Sequence, residues 1–365
     1  MRNGARICFT LFLVFAARLD AGDAARKEGL DFFDTGPIRV REQFLIGMSY
    51  YAFDPSSADI LGRGELRVEV VQSDTNTFAR SDVVTHVLER RGDRGSVTLG
   101  DLRAAAPAHQ RDGLYFADGE VTRTSVALRR GIGSGNEIAI TLPLLRFSGG
   151  DLDGIVERFH GAFGLDDGGR IGAFRNRYTV YVRDASGREV FRDVATGTKL
   201  GDVALSLKTA IPIHSKRWKA AAETVVELPT GDRQNLFSSG GADYGTQLLV
   251  TRYFSRSCIH ASAGVLHNAA SAAFGTRAQT LASAMFGYEQ ALGRRTSAVA
   301  QFTASQSPFR KLAIEGLSSN AYLIDIGLKH AVTPRTVVFV AASENLVSYG
   351  SSADIGVHAG FTWTR

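Results

Sequence analysis

From about residue 200 to the C-terminus the chain repeats one short pattern: about ten residues alternating apolar with polar, a turn, and another such stretch. Residues 202–213 show it well. Val203, Leu205, Leu207, Ile211 and Ile213 share one parity, and Asp202, Ala204, Ser206 and Lys208 share the other. Side chains of a strand point alternately to opposite faces, so each segment has one greasy and one polar face. A soluble sandwich also alternates. Here, however, the second face is small, polar or charged along nearly every strand, which predicts an apolar face toward lipid and a wet face toward a lumen. The expected fold is all-β: an antiparallel transmembrane β-barrel of about twelve strands, with helical segments in long outside loops.

The 365 residues suffice for one large barrel or two ordinary domains. With 44% hydrophobic and 22% charged residues the chain is no disordered polymer, and 39 glycines against 8 prolines suit a β protein rich in tight turns. Arg2 and Arg6 followed by the apolar run Ile7 to Ala17 read as a secretory signal over residues 1–21, with cleavage after Ala21 or Ala24 and Sec-type export. No later stretch approaches about 18 apolar residues, which excludes a helical membrane protein. Residues 1–21 hold Arg2, Arg6, Arg18 and Asp20, so removing their +2 from the net +5 leaves +3, too mild to argue for nucleic acid. Cys258 alone then remains, which leaves neither an intramolecular disulfide nor a cysteine-based zinc site.

Residues 25–62 are mixed in character and read as an N-terminal segment, periplasmic or tucked into the lumen. Residues 43–53 could form a strand, but counting it would break the even strand number. The barrel occupies 63–365, with wall strands near 64–72, 120–130, 136–146, 200–213, 217–228, 244–255, 257–267, 280–291, 295–305, 320–331, 335–345 and 353–363. Short turns near 214–216, 256, 293–294 and 332–334 alternate with longer loops at 229–243, 268–279, 306–319 and 346–352, the asymmetry of barrels with short periplasmic turns. Two insertions, 73–119 and 147–199, fall outside the cell. The first holds helices near 82–91 and 98–106. The second holds a helix over 150–164, with Leu152, Ile155, Val156, Phe159 and Phe163 on one face, and a hairpin over 176–194. That helix either folds back to narrow the pore or caps it.

If the apolar parity faces lipid, the lumen is lined by Arg67, Glu69, Arg123, Asp202, Lys208, Lys219, Glu223, Glu227, Glu289, Asp325, Lys329 and His358, with Arg129, Glu137, Arg217, His260 and Asp354 sharing their face. Signs are mixed: Lys208, Lys219 and Lys329 are matched by Glu223, Glu227 and Asp325. Pairing across neighbouring strands to stiffen the wall is one reading, and a charge-lined path for a polar solute is the other. Lys208 could reach Glu223 on the next strand. Arg252 has ambiguous parity and suits an interface, where long side chains snorkel.

Two stretches carry a resemblance. One is Gly201-Asp202-Val203-Ala204-Leu205-Ser206-Leu207-Lys208 followed by Leu228-Pro229-Thr230-Gly231-Asp232. The other is Gly149-Gly150-Asp151-Leu152-Asp153-Gly154, continuing to Phe159-His160 and Phe163-Gly164. Together they resemble a family of Gram-negative outer-membrane barrels of unknown function. They are also loosely similar to outer-membrane transporters of the phenol and aromatic-degradation type, over residues 36–365. The resemblance implies the architecture and no catalytic residues. The function expected is a channel or passive transporter for a small solute in the outer membrane, with outer-membrane lipids and the barrel-insertion machinery as partners. No enzyme activity, cofactor or metal is expected. A structural surface barrel needs no open lumen, so a filled one would favour it. An outer-membrane lipid hydrolase would need a nucleophile beside a histidine. The nearest set is Ser255, Ser257 and His260, of which Ser257 and His260 have opposite parity.

Overall fold

The computed structural model describes residues 35–365 except 92, 106–112, 166–167, 196 and 347–350, so the segment 1–21 expected to be a signal lies outside the described residues. Fifteen strands form one sheet. Twelve of them make the wall: β1 (Leu66–Arg80), β2 (Leu114–Gly131), β3 (Asn136–Ser148), β7 (Val203–Ile211), β8 (Trp218–Leu228), β9 (Asp243–Tyr253), β10 (Ser257–Asn268), β11 (Gln279–Ala291), β12 (Thr296–Ser305), β13 (Ala321–Thr333), β14 (Thr336–Asn345) and β15 (Ile355–Thr364). Each pairs antiparallel with its neighbour, and β15 closes on β1 from Arg67↔Thr364 to Asn76↔Ile355. Closure leaves no free edge, which is what a hydrocarbon environment demands of strands.

The alternation places the two faces as their chemistry requires. Leu205, Leu207, Leu248, Ile326, Leu328, Val340 and Val357 stand outward and are 43–59% exposed, while Lys208, Glu223, Glu289, Asp325 and Lys329 point inward and are at most 5% exposed. No helix among the described residues is long and apolar enough to cross a membrane.

The structure corrects three boundaries. β1 continues to Arg80 and β2 begins at Leu114, so the first insertion shrinks from 73–119 to 81–113. Every residue from Thr75 to Arg80 is buried, because both faces of this outer extension are covered, and a strand buried on both sides shows no alternation. Thr75–Arg80 pairs with the start of β2, whose residues Leu114–Asp118 pair on their other side with β4 (Thr179–Arg183), which pairs with β5 (Glu189–Arg192). Around it Phe78, Val84, Leu88, Leu102, Leu114, Phe116, Ala173 and Tyr181 form a dry outer core with helices α1 (Asp82–Glu89) and α2 (Leu99–Ala105). The strand expected at 200–213 is split. β6 (Gly197–Leu200) pairs with β3 over Leu144–Phe147, and β7 pairs with it over Asn136–Thr141. Pro143 sits at the break and has no N–H for the ladder, while its carbonyl accepts from Gly201 N at 2.8 Å.

Helix α3 (Asp153–Phe163) buries Asp153, Val156 and His160 and leaves Ile155 and Phe163 about half exposed, so the expected apolar face docks through Val156 alone, beside two polar residues. Polar docking decides this. Asp153 bonds Asn76 on β1 at 2.9 Å and Arg170 at 2.6 Å, and Arg170 also pairs with Asp354. The helix is thereby fixed at the outer rim and does not fill the pore.

Candidate functional site

What fills the lumen is residues 35–62. This segment enters at the short-turn end, climbs to a 3-10 turn at Leu45–Ser49 under the outer loops, and returns to β1. It is an inner hairpin-like plug and no wall strand.

Its hold on the wall is mostly polar. Gly36 N donates to Glu289 Oε2 at 2.7 Å, and Lys329 Nζ donates to Gly36 O at 3.1 Å. The Gln301 amide grips both backbone groups of Ile38: Ile38 N donates to Oε1 at 2.8 Å, and Nε2 donates to Ile38 O at 2.9 Å. On the return path Tyr51 N donates to Asp243 Oδ2 at 2.8 Å, Ala58 N to Thr251 Oγ1 at 3.0 Å, and Leu61 N to Glu137 Oε2 at 3.1 Å. Lys208 Nζ reaches the carbonyls of Ser57 at 3.3 Å and Asp59 at 3.2 Å. These side chains satisfy backbone groups that have no ladder of their own.

Ion pairs add to this. Arg39 lies 3.3 Å from Glu69 and Arg41 lies 3.7 Å from Glu227, while Lys219 and Tyr253 both contact Asp59. Within the wall Lys329 is 3.2 Å from Glu289, Lys208 is 3.8 Å from Glu137, and Arg129 is 3.5 Å from Glu137 and 3.9 Å from Glu223. Glu137 and Glu223 are the register partners of Lys208 on its two sides, and Glu223 also accepts from Gln247 at 2.9 Å. Asp325 accepts from Gln301 at 3.0 Å, and His358 Nε2 shares a hydrogen bond of 2.9 Å with Ser343.

Apolar seats complete the fit. Ile38 and Val40 pack with Val71, Val299 and Ala341, and Tyr51 and Phe53 pack with Val225 and Leu266. Wall glycines make room for them. A Cβ on Gly327 would stand 2.6 Å from Ile38 Cδ1, and one on Gly264 would stand 2.9 Å from Phe53 Cε2. At the outer mouth Phe44, Leu45, Met48 and Tyr50 join Phe237, Phe274, Phe309 and Ile314 from the loops in one core. A cavity of about 70 Å³ remains between plug and β9–β12, lined by Tyr50, Tyr51, Phe53, Leu281 and Met285 with Gln247 and Asn268.

Most of the twelve expected lumen residues meet around this plug, with some differences. Arg67 is half-buried at the short-turn end and donates to Thr364 Oγ1 at 3.1 Å, and Arg123 is buried on the inner face of β2. Asp202 is a turn lock at the outer end of the wall: it accepts from Gly231 N at 2.8 Å, so the two parts of the first stretch that carries the resemblance, 201–208 and 228–232, meet there. Arg217 lies exposed in the β7–β8 turn. His260 is buried on the inner face beside Thr251 at 3.0 Å and Glu289 at 3.9 Å. Among the described residues no cluster of three or more His, Cys, Asp or Glu could hold a metal ion. Sequence reasoning missed Gln301, Thr251 and Asp243, whose only signal was inward parity.

A comparison with solved structures finds the crystal structure of the COG4313 outer membrane channel from Pseudomonas putida F1, with 11% identity, 86% of this chain and 100% of that chain covered, and a TM-score of 0.51. It also finds the Pseudomonas putida toluene transporter TodX (10% identity, 92% and 99% covered, TM-score 0.39) and the Ralstonia pickettii toluene transporter TbuX (9%, 84% and 90%, 0.37). At these identities the first of them speaks for the fold alone. No curated protein matches the chain. A family model described as "Protein of unknown function (DUF3187)" matches residues 103–364, from the outer insertion through the last wall strand, and the chain belongs to that family.

Proposed function

We propose that the protein is an outer-membrane channel for a small solute, held closed by residues 35–62. One observation carries this reading: the lumen is filled by a separate segment and not by the wall's own side chains. Eight-stranded barrels fill themselves, whereas a twelve-stranded wall encloses more space than its side chains occupy. The plug is tied to that wall by side-chain hydrogen bonds and ion pairs, none of which belongs to the barrel ladder. It can therefore leave without breaking a strand pair. The vacated path would be lined by Lys208, Glu223, Glu289, Asp325 and Lys329, and charged rings of this kind set selectivity in pores. The aromatic and apolar walls of the remaining cavity favour a small solute with an apolar face. The fold shared with an outer-membrane channel supports the reading by analogy.

A structural surface barrel is the second reading, and the filled lumen is what favours it. Liposome swelling separates the two. The chain lacking residues 36–61 should admit neutral solutes at rates that fall with solute size. Impermeance of that folded, inserted barrel to all of them would return it to a structural role.

A further inference from the structure

The short-turn end of the barrel carries a charge pattern that the plugged lumen does not use. The five short turns are residues 132–135, 212–217, 254–256, 292–295 and 334–335, and none contains Asp or Glu. Their ionised residues are Lys216, Arg217, Arg256, Arg294, Arg295 and Arg335, all exposed. Arg130 and the terminal Arg365 flank the same rim. The long loops at the other end mix signs and pair them, as Lys199 does with Asp232 at 2.6 Å.

Each of these turns also presents a large apolar side chain, beside its own cation in four of them and beside the flanking Arg130 in the fifth. Ile132 follows Arg130 and is 39% exposed, and Ile213 precedes Lys216 and is 44% exposed. Leu292 stands next to Arg294 at 55% exposure, and Val332 precedes Arg335 at 51%. In the β9–β10 turn Phe254 lies two residues before Arg256, with the Arg252 guanidinium between its ring at 4.7 Å and the Trp218 ring at 5.0 Å. Apolar groups at the acyl boundary with cations one step further out match the cross-section of a lipid headgroup layer.

We infer that this collar binds anionic phospholipid headgroups of the leaflet that surrounds the short-turn end. Two features select lipid over a protein partner. The pattern recurs in four of the five short turns and beside the fifth, around the circumference, where a docked protein would cover an arc. Each cation is also paired with an outward apolar residue, which a lipid surface fills and a hydrophilic partner does not. Basic groups near a bilayer attract acidic lipids through the surface potential, and salt screens the attraction. The inference rests on the membrane placement used above.

The chain supplies its own probe. Its only two tryptophans, Trp218 and Trp363, both lie at this rim. The refolded full chain is reconstituted in phosphatidylcholine vesicles containing equal fractions of either brominated phosphatidylglycerol or brominated phosphatidylcholine, and tryptophan quenching is compared. Brominated phosphatidylglycerol should quench about twofold more or better, and the excess should vanish in about 1 M salt, where screening acts within about 3 Å. It should also vanish in the variant Lys216→Gln, Arg256→Gln, Arg294→Gln, Arg295→Gln, Arg335→Gln, and it should survive added inorganic phosphate at constant ionic strength. Equal quenching by both lipids at low salt overturns the lipid preference. Loss of the excess with inorganic phosphate overturns it in favour of a free-anion site. Quenching by neither lipid overturns the membrane placement itself. The salt arm needs no variant, so a collar variant that fails to insert still leaves the inference open to refutation.

Discussion

Replacing Gln301 with methionine keeps the side-chain volume but removes the amide that grips both backbone groups of Ile38 at 2.8 and 2.9 Å. Each neutral hydrogen bond contributes about 0.5–1.5 kcal/mol net, and a buried group left without a partner costs about 1–3 kcal/mol. In the closed state Ile38 N–H and C=O both lose these partners in a dry seat formed by Val40, Val71, Val299 and Ala341. In an open state water would satisfy them. Asp325 also loses its donor at 3.0 Å in either state, so that part largely cancels. The closed form should therefore weaken relative to the open one by about 1.5–3 kcal/mol, or about ten- to hundredfold in the open fraction. Single-channel recording of refolded Gln301→Met against the parent chain reads this directly. Adding Asp325→Leu removes the stranded carboxylate and should leave the increase in place. An unchanged open fraction in a variant that folds normally would refute the idea that these bonds hold a gate.

Lys329→Met strands the Glu289 carboxylate, which Lys329 approaches at 3.2 Å, and should lower barrel stability by about 3–5 kcal/mol in denaturant unfolding. The double variant Lys329→Met with Glu289→Met should recover much of that loss, because no unpaired charge remains. Leu205→Arg places a cation on the lipid face and should cost about 2–4 kcal/mol if that position is near the bilayer midplane, whereas Ser206→Arg on the opposite parity should cost less in the same refolding assay. In the outer loop, hydrogen bonding to Lys199 lowers the Asp232 carboxyl to about 2. Its folded pKa is below the unfolded one, so its contribution is present above about pH 4 and is lost as pH falls through about 2. Carboxyl carbon NMR should show that low midpoint, and Lys199→Met should raise it.

The wall was legible because lipid on one side and polar groups on the other impose a period of two, as at Val203–Ile211. Legibility failed wherever that contrast disappears. Residues 75–80 of β1 are covered on both faces, and they read as loop. Residues 43–53 are apolar nearly throughout because the barrel surrounds them on all sides, and no period marks a segment buried all round. On α3 Val156 of the apolar pattern docks but Ile155 and Phe163 point away, since Asp153 dominates the contact through Asn76 and Arg170. The inward charges were legible by parity. Their partners were not, because Arg39, Arg41 and Asp59 lie on a segment whose path inside the barrel no local pattern encodes.

The central claim is that a removable segment closes an otherwise continuous lumen, and removal of residues 36–61 tests it most directly. Planar-bilayer recording of that shortened chain should show steady, ohmic single-channel current where the full chain is closed for most of the record. A shortened chain that inserts as a folded barrel and stays as silent as its parent would contradict the account.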